Sequence, residues 1–154
     1  MLELPNHAPE QRPEFLELLN SRGVDYVIVG AHSLALHGRP RYTGDLDILV
    51  RPSPANASKV SAVLRDFGFA ALVEEIDLTK PELIVQLGRA PNRIDLLTGL
   101  SGVGLDEIFE TKIATQVDDL PVHVLSRELL IRNKRTVGRP QDLADVTELE
   151  SADS

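Results

Sequence analysis

The spacing of apolar residues changes several times along the chain, and each change marks an element. Phe15, Leu16, Leu18 and Leu19 recur at helical spacing between Pro13 and Arg22, and Gly23 supplies a stop, which predicts a short amphipathic helix. Tyr26–Val29 then reads as a strand that is apolar on both faces, the pattern of a central strand. A turn at Gly30, a short helix and a basic loop lead to a second strand ending at Val50. Ser53 and Pro54 open a helix whose buried face is Val60, Val63, Leu64 and Phe67, with Gly68 as its end. The run from Ala71 to Asp77 is mixed and predicts a weak strand or loop. Leu83–Leu87 and Arg93–Leu97 flank Gly, Pro and Asn, the signature of a β-hairpin.

Beyond the glycines at 99, 102 and 104, Leu105, Ile108, Phe109 and Ile113 give a helical face, and Val117–Val124 gives a turn and a last short strand around Pro121. A closing helix pair, about residues 126–150, follows. Ser126 caps the first helix, Gly138 closes it, Pro140 opens the second, and Leu143, Val146 and Leu149 are spaced for one buried face. Helices and strands alternate while the hairpin brings antiparallel pairing. The predicted class is therefore α/β (α+β): one domain over 1–154, a mixed, partly antiparallel β-sheet flanked by helices, with the helices mainly on one side.

Composition narrows what such a domain does. A formal net charge of -8 argues against a protein that coats nucleic acid, since backbone binding is mainly Lys and Arg neutralising phosphates, although a local basic groove remains compatible. There is no cysteine, so disulfides, thiol chemistry and thiolate metal ligands are excluded. No apolar run approaches the length that spans a bilayer, and the first ten residues lack a basic start followed by an apolar stretch, so a cytoplasmic location without membrane association is the expectation.

The candidate chemistry lies on the strands. In an extended chain Asp45 and Asp47 share one face while Leu46, Ile48 and Val50 take the other. Two carboxylates about 6 to 7 Å apart repel by about 2 kcal/mol at an effective dielectric near 20, so positive charge must compensate. A divalent metal does this; so does Arg39, Arg41 or Arg93, or solvent at a sheet edge. Asp95 lies between Ile94 and Leu96 and projects opposite to both. If the two strands pair, three carboxylates meet on one face. Oxygen-only ligands of this kind suit Mg2+ or Mn2+, and a carboxylate cluster is what a two-metal site requires. Gly30 permits a turn that aims backbone N–H groups at an anion.

These pieces are ordered as Val29-Gly30-Ala31, thirteen residues from His32 to Gly44, Asp45-Leu46-Asp47-Ile48, and Ile94-Asp95-Leu96. In that order they resemble the polymerase-beta-type nucleotidyltransferase superfamily. The phrase VGAHSLALHGRPRYTGDLDILV is similar to small stand-alone bacterial members, including those of abortive-infection and toxin-antitoxin systems, and LLIRNKRTVGRPQDLADVTEL is similar to their closing helix pair. About half of the chain is matched. Ala31 departs from the pattern, which has Gly or Ser there, so a hydroxyl is missing and Ser33 is the nearest substitute.

The resemblance implies a nucleotidyltransferase-like fold and a transferase that moves NMP from an NTP such as ATP to a hydroxyl of a protein, a tRNA or a small molecule, with Mg2+ or Mn2+ as cofactor and room for a partner subunit. It implies that Asp45, Asp47 and Asp95 are the catalytic, metal-holding residues, Asp95 also helping to deprotonate the acceptor. Gly30, Ala31, Ser33, Arg39, Arg41, Thr43 and Lys134 form the nucleotide-binding set, while Arg139 is expected to pair with Asp142 or Asp145. A second class, a non-catalytic nucleotide-binding or antitoxin-like partner that keeps the fold, is also compatible. A glycosyltransferase needs a larger nucleotide-sugar domain, and a haloacid-dehalogenase-type phosphatase needs Thr or Val where Leu49 stands.

Overall fold

The computed structural model of the 154-residue chain describes residues 11–30, 46–88, 93–117 and 119–151. Its elements are α1 (Gln11–Ser21), β1 (Tyr26–Val29), β2 (Leu46–Val50), α2 (Pro54–Asp66), α3 (Ala70–Val73), β3 (Ile84–Leu87), β4 (Ile94–Leu97), α4 (Leu105–Thr111), β5 (Ile113–Val117), β6 (Leu120–Val124), α5 (Arg127–Val137) and α6 (Pro140–Ser151). The short helix expected after Gly30 lies outside the described residues.

The six strands form one sheet in the order β3-β4-β2-β1-β6-β5. β1 pairs antiparallel with β2 and parallel with β6, β2 pairs parallel with β4, and both edges are antiparallel hairpin arms. The class is thus the expected mixed α/β sheet.

Both faces of that sheet are covered. One carries Tyr26, Ile28, Leu46, Ile48, Val50, Ile94 and Leu96 against Phe15 and Leu19 of α1 and Val60, Val63 and Leu64 of α2. The other carries Val27, Val29 and Leu49 against Ile108 and Phe109 of α4, Leu129 and Leu130 of α5, and Val146 and Leu149 of α6. This corrects the expectation of helices mainly on one side. All four residues of β1 are buried, so each face had apolar surface to remove from water, worth about 1.5–3 kcal/mol per large side chain.

The helix ends follow the sequence signals. Ser53 accepts a hydrogen bond from the Asn56 N–H at 3.3 Å, and Ser126 does the same for the Leu129 N–H at 3.3 Å. Gly138 takes the left-handed conformation, φ +70°, and its N–H donates to the Lys134 carbonyl. That turn folds α6 back against α5.

Two local expectations differ. Where the sequence predicts a weak strand or loop over Ala71–Asp77, residues 70–73 form a single helical turn and 74–77 a loop; Phe69 is buried, and Leu72 and Val73 pack on the same core as α2. Ile113 opens a strand rather than extending the helical face: α4 ends at Thr111, and Ile113 pairs with Val124 in the β5–β6 hairpin. Beta-branched Ile113 and Val117 suit that edge.

Candidate active site

The alternation along β2 and β4 decides which side chains meet. Leu46, Ile48 and Val50 enter one core, and so do Ile94 and Leu96, leaving Asp47 and Asp95 on the opposite face with Leu49 and Leu97. β2 and β4 run parallel with Asp47 in register with Asp95, so the carboxylates occupy adjacent positions on strands about 4.8 Å apart. Val29 flanks Asp47 on one side and Gln86 flanks Asp95 on the other, completing a row across four strands. A leucine at either aspartate position would add about 2 kcal/mol of apolar burial, which the chain forgoes.

Asp95 is buried, and Arg93 attends to it. The Arg93 Nε stands 3.0 Å from Asp95 Oδ1, and an Arg93 N–H donates to Oδ2 at 3.3 Å. Arg93, one of the arginines named as compensation for the Asp45 and Asp47 charges, is thus engaged with Asp95.

Gly30 immediately follows β1 with φ +72°, in the left-handed region. A β-carbon there would stand 2.2 Å from Asp47 Oδ2 and 3.1 Å from its carboxyl carbon. The Asp47 carboxylate therefore lies against bare backbone, and only glycine leaves that space. Gly30 and the two aspartates sit at the C-terminal end of β1 and the N-terminal ends of β2 and β4.

A cleft of about 520 Å³ opens beside this row, with Gly30 and Asp47 in one wall and Lys134, Arg139 and Gln141 of the helix pair in another. Ile84 and Leu97 of the edge hairpin, Leu100, and Val137 of α5 are among its apolar lining residues. Lys134 is buried, its Nζ 2.9 Å from Asp145 Oδ2 and 3.5 Å from Asp142 Oδ1. Arg139 Nε reaches Asp142 Oδ2 at 2.6 Å, the pairing expected from sequence. The Arg139 hydrogen bond holds the Asp142 carboxyl below the usual carboxylate range against the opposing effect of burial.

The structure thus brings Gly30, Asp47, Asp95 and Lys134 to one region. Asp45, Ala31, Ser33, Arg39, Arg41 and Thr43 lie outside the described residues. Among the described residues no group of three His, Cys, Asp or Glu side chains is gathered as a metal cluster, and no helix is long and apolar enough to cross a membrane. Sequence reasoning treated Lys134 as a phosphate contact without seeing that Asp142 and Asp145 both claim it. The i,i+3 spacing of those aspartates on one helix was the available signal. It also missed the apolar end of the cleft, which is assembled from three separate elements.

A second groove, of about 640 Å³, runs along α5 and α6 past Arg127, Arg132 and Arg135. Its positive charge is spoken for: Arg132 pairs with Glu107 at 2.9 Å and Arg135 with Glu150 at 2.5 Å. Among the described residues it holds no counterpart of the Asp47–Asp95 pair.

No family model matches the chain, and no curated protein matches it in sequence. Solved structures do match its shape. A candidate nucleotidyltransferase from Thermotoga maritima aligns with a TM-score of 0.59 at 15% identity, over 98% of this chain and 97% of that one. The fold is the nucleotidyltransferase fold. The lincosamide antibiotic adenylyltransferase LnuA, solved with lincomycin bound, shares it with a TM-score of 0.59 at 16% identity, over 95% of this chain and 98% of that one. So does the antibiotic-resistance factor ANT(2'')-Ia, with a TM-score of 0.56 at 12% identity, over 94% of this chain and 83% of that one. At such identities the likeness is one of architecture. Within this fold, Gly30 just after β1, Asp47 of β2 and Asp95 of β4 lie on three neighbouring strands.

Proposed function

We propose that this chain is a divalent-metal-dependent nucleotidyltransferase that moves NMP from an NTP to a hydroxyl. The observation that carries the reading is the register of Asp47 with Asp95 on parallel strands, with the backbone of Gly30 laid against the Asp47 carboxylate. The architecture shared with an adenylyltransferase supports it.

The residues fit a hard divalent cation. The donors are carboxylate oxygens in a chain without thiols, adjacent like charges favour a bound cation, and the uncovered Gly30 backbone keeps one carboxylate accessible from the cleft. Asp45, Asp47 and Asp95 would hold Mg2+ or Mn2+. When bound, the metal supplies Lewis-acid stabilisation of charge on the α-phosphate and the leaving pyrophosphate.

The chain does the rest. Gly30 and the backbone after it, with Ser33, Thr43, Arg39 and Arg41, bind the triphosphate; Lys134 contributes positive charge from the helix pair. Arg93 orients Asp95, and a carboxylate oxygen of Asp95 accepts the acceptor's hydroxyl proton. The acceptor oxygen then bonds to the α-phosphorus as the bond to pyrophosphate breaks.

Incubation with radiolabelled NTP and Mn2+ tests this. Asp47→Asn should keep the fold and lose label transfer and pyrophosphate release; unchanged transfer refutes the role given to Asp47. One observation favours a second reading, a non-catalytic nucleotide-binding or antitoxin-like protein: the Lys134 ammonium is already engaged by two aspartates. NTP binding by calorimetry with no pyrophosphate release over a broad acceptor panel selects that reading.

A further inference from the structure

The strand order also orders the substrates across the sheet. The row reads Val29, Asp47, Asp95, Gln86 from β1 to β3, with Gly30 next in the chain after Val29 and its backbone against the Asp47 carboxylate. On the reading above, which this inference deepens, phosphates sit on the Gly30 side and the acceptor hydroxyl approaches Asp95. The acceptor's body then lies toward β3, the edge of the sheet.

That end of the cleft has a definite chemistry. Ile84 of β3 is in register with Leu97 of β4, two residues along from the Gln86–Asp95 pair and on the same face. Leu100 and Val137 complete the apolar lining. Ile84 is 62% exposed and Val137 42% exposed, so two large apolar side chains are left in contact with water beside the carboxylate row. Exposed apolar surface at the mouth of a cleft marks a binding surface more often than a scattered single residue does.

Charge is as informative as apolarity. Among the described residues, Asp47, Lys134, Arg139 and Asp142 are the charged ones in the lining of this cleft, and the last three are paired to one another on the helix side. The described lining also includes the uncharged Gly99, Ser101 and Asn133, with the Glu82 side chain packed against Gly99. A nucleic-acid strand needs Lys or Arg to neutralise its phosphates, and the two cations of the described lining are already paired with aspartates. Among the described residues the arginine-lined groove lies elsewhere, along α5 and α6, with Arg132 and Arg135 paired to glutamates.

We propose that Ile84, Leu97, Leu100 and Val137 form an acceptor subsite that selects an uncharged small molecule with an apolar body beside its hydroxyl.

The test uses the full chain with 13C-labelled methyl groups and three probes: 2-phenylethanol, the dicationic 1,3-diamino-2-propanol, and a tetra-adenylate RNA with a free 3′ hydroxyl. Titration with 2-phenylethanol should shift the methyl resonances of Ile84, Leu97, Leu100 and Val137, and the two charged probes should leave them in place. Ile84→Lys, at an exposed edge position, should weaken binding of the alcohol at least fivefold. Ile113→Lys, on the opposite edge strand and 45% exposed, should leave it unchanged. Static methyl resonances, equal binding of a charged probe at these methyls, or an Ile84→Lys protein that binds like the parent overturns the subsite. Radiolabel transfer from ATP with Mn2+ keeps the two ideas separable. Binding of the alcohol without transfer from ATP to any acceptor sinks the nucleotidyl reading and leaves the pocket standing. Transfer from ATP without methyl shifts does the reverse.

Discussion

The Asp47 carboxylate occupies the place where any residue other than glycine at position 30 would put its β-carbon, with Oδ2 2.2 Å from that point. The contact ties two requirements to one residue, since Gly30 also has φ +72°. Gly30→Ala should cost about 1–2 kcal/mol from the left-handed backbone alone. The methyl must also displace the carboxylate, so Mn2+ affinity should fall at least tenfold. Urea denaturation measures the first effect and Mn2+ titration by electron paramagnetic resonance the second.

Asp47→Asn and Asp95→Asn should separate metal binding from packing. Asp47 faces the cleft, whereas Asp95 is buried against Arg93, so without metal Asp47→Asn should be the better tolerated. Binding to the folded state alone stabilises by about 2.7 kcal/mol at a hundred times Kd. Thermal melts of the parent should therefore rise by several degrees with Mn2+, and those of either variant should not.

Lys134→Met leaves Asp142 and Asp145 buried without their shared cation. Removing one partner of a buried ion pair costs about 3–5 kcal/mol, and the loss here should fall in that range. The companion change Asp145→Leu should return more than half of it. A double-mutant cycle in urea reads the coupling directly.

Tyr26 gives a pH dependence with a definite sign. Its hydroxyl is buried and donates to Asn20 Oδ1 at 3.0 Å, and burial pushes its pKa up to about 12 from 10.0. The neutral form is thus favoured in the folded state, and its contribution is complete below pH 10. Above that the unfolded chain loses its proton first, so stability should decline from pH 10 to 12. Tyr26→Phe should flatten this limb in urea melts taken across that range.

The fold was legible wherever one periodicity persisted. The Ser53 and Ser126 caps, the β3–β4 hairpin and the closing helix pair all follow from local signals. The short helix at Ala70–Val73 was not, because four residues carry too little pattern and Phe69 supplies the anchor through tertiary contact. Ile113 suited a helical face by spacing alone, and its pairing with Val124 is a long-range fact. Covering of both sheet faces was implicit in the doubly apolar β1.

At the site, alternation placed Asp47 and Asp95 on definite sides of their strands, but it took strand pairing to make them neighbours. The partnership of Lys134 with Asp142 and Asp145 depends on how α6 turns back at Gly138. Ile84 and Val137 reach one cleft from positions some fifty residues apart, which no local window can see.

Asp47 and Asp95 are also about fifty residues apart, and they become neighbours only through β2 and β4 lying side by side. A ribosome that has made everything up to the first hairpin arm has made, on the proposed reading, two of the three carboxylates that would hold the metal. On the proposed reading, truncated or partly synthesised chains would be chemically silent, and competence would arrive late, with closure of the sheet.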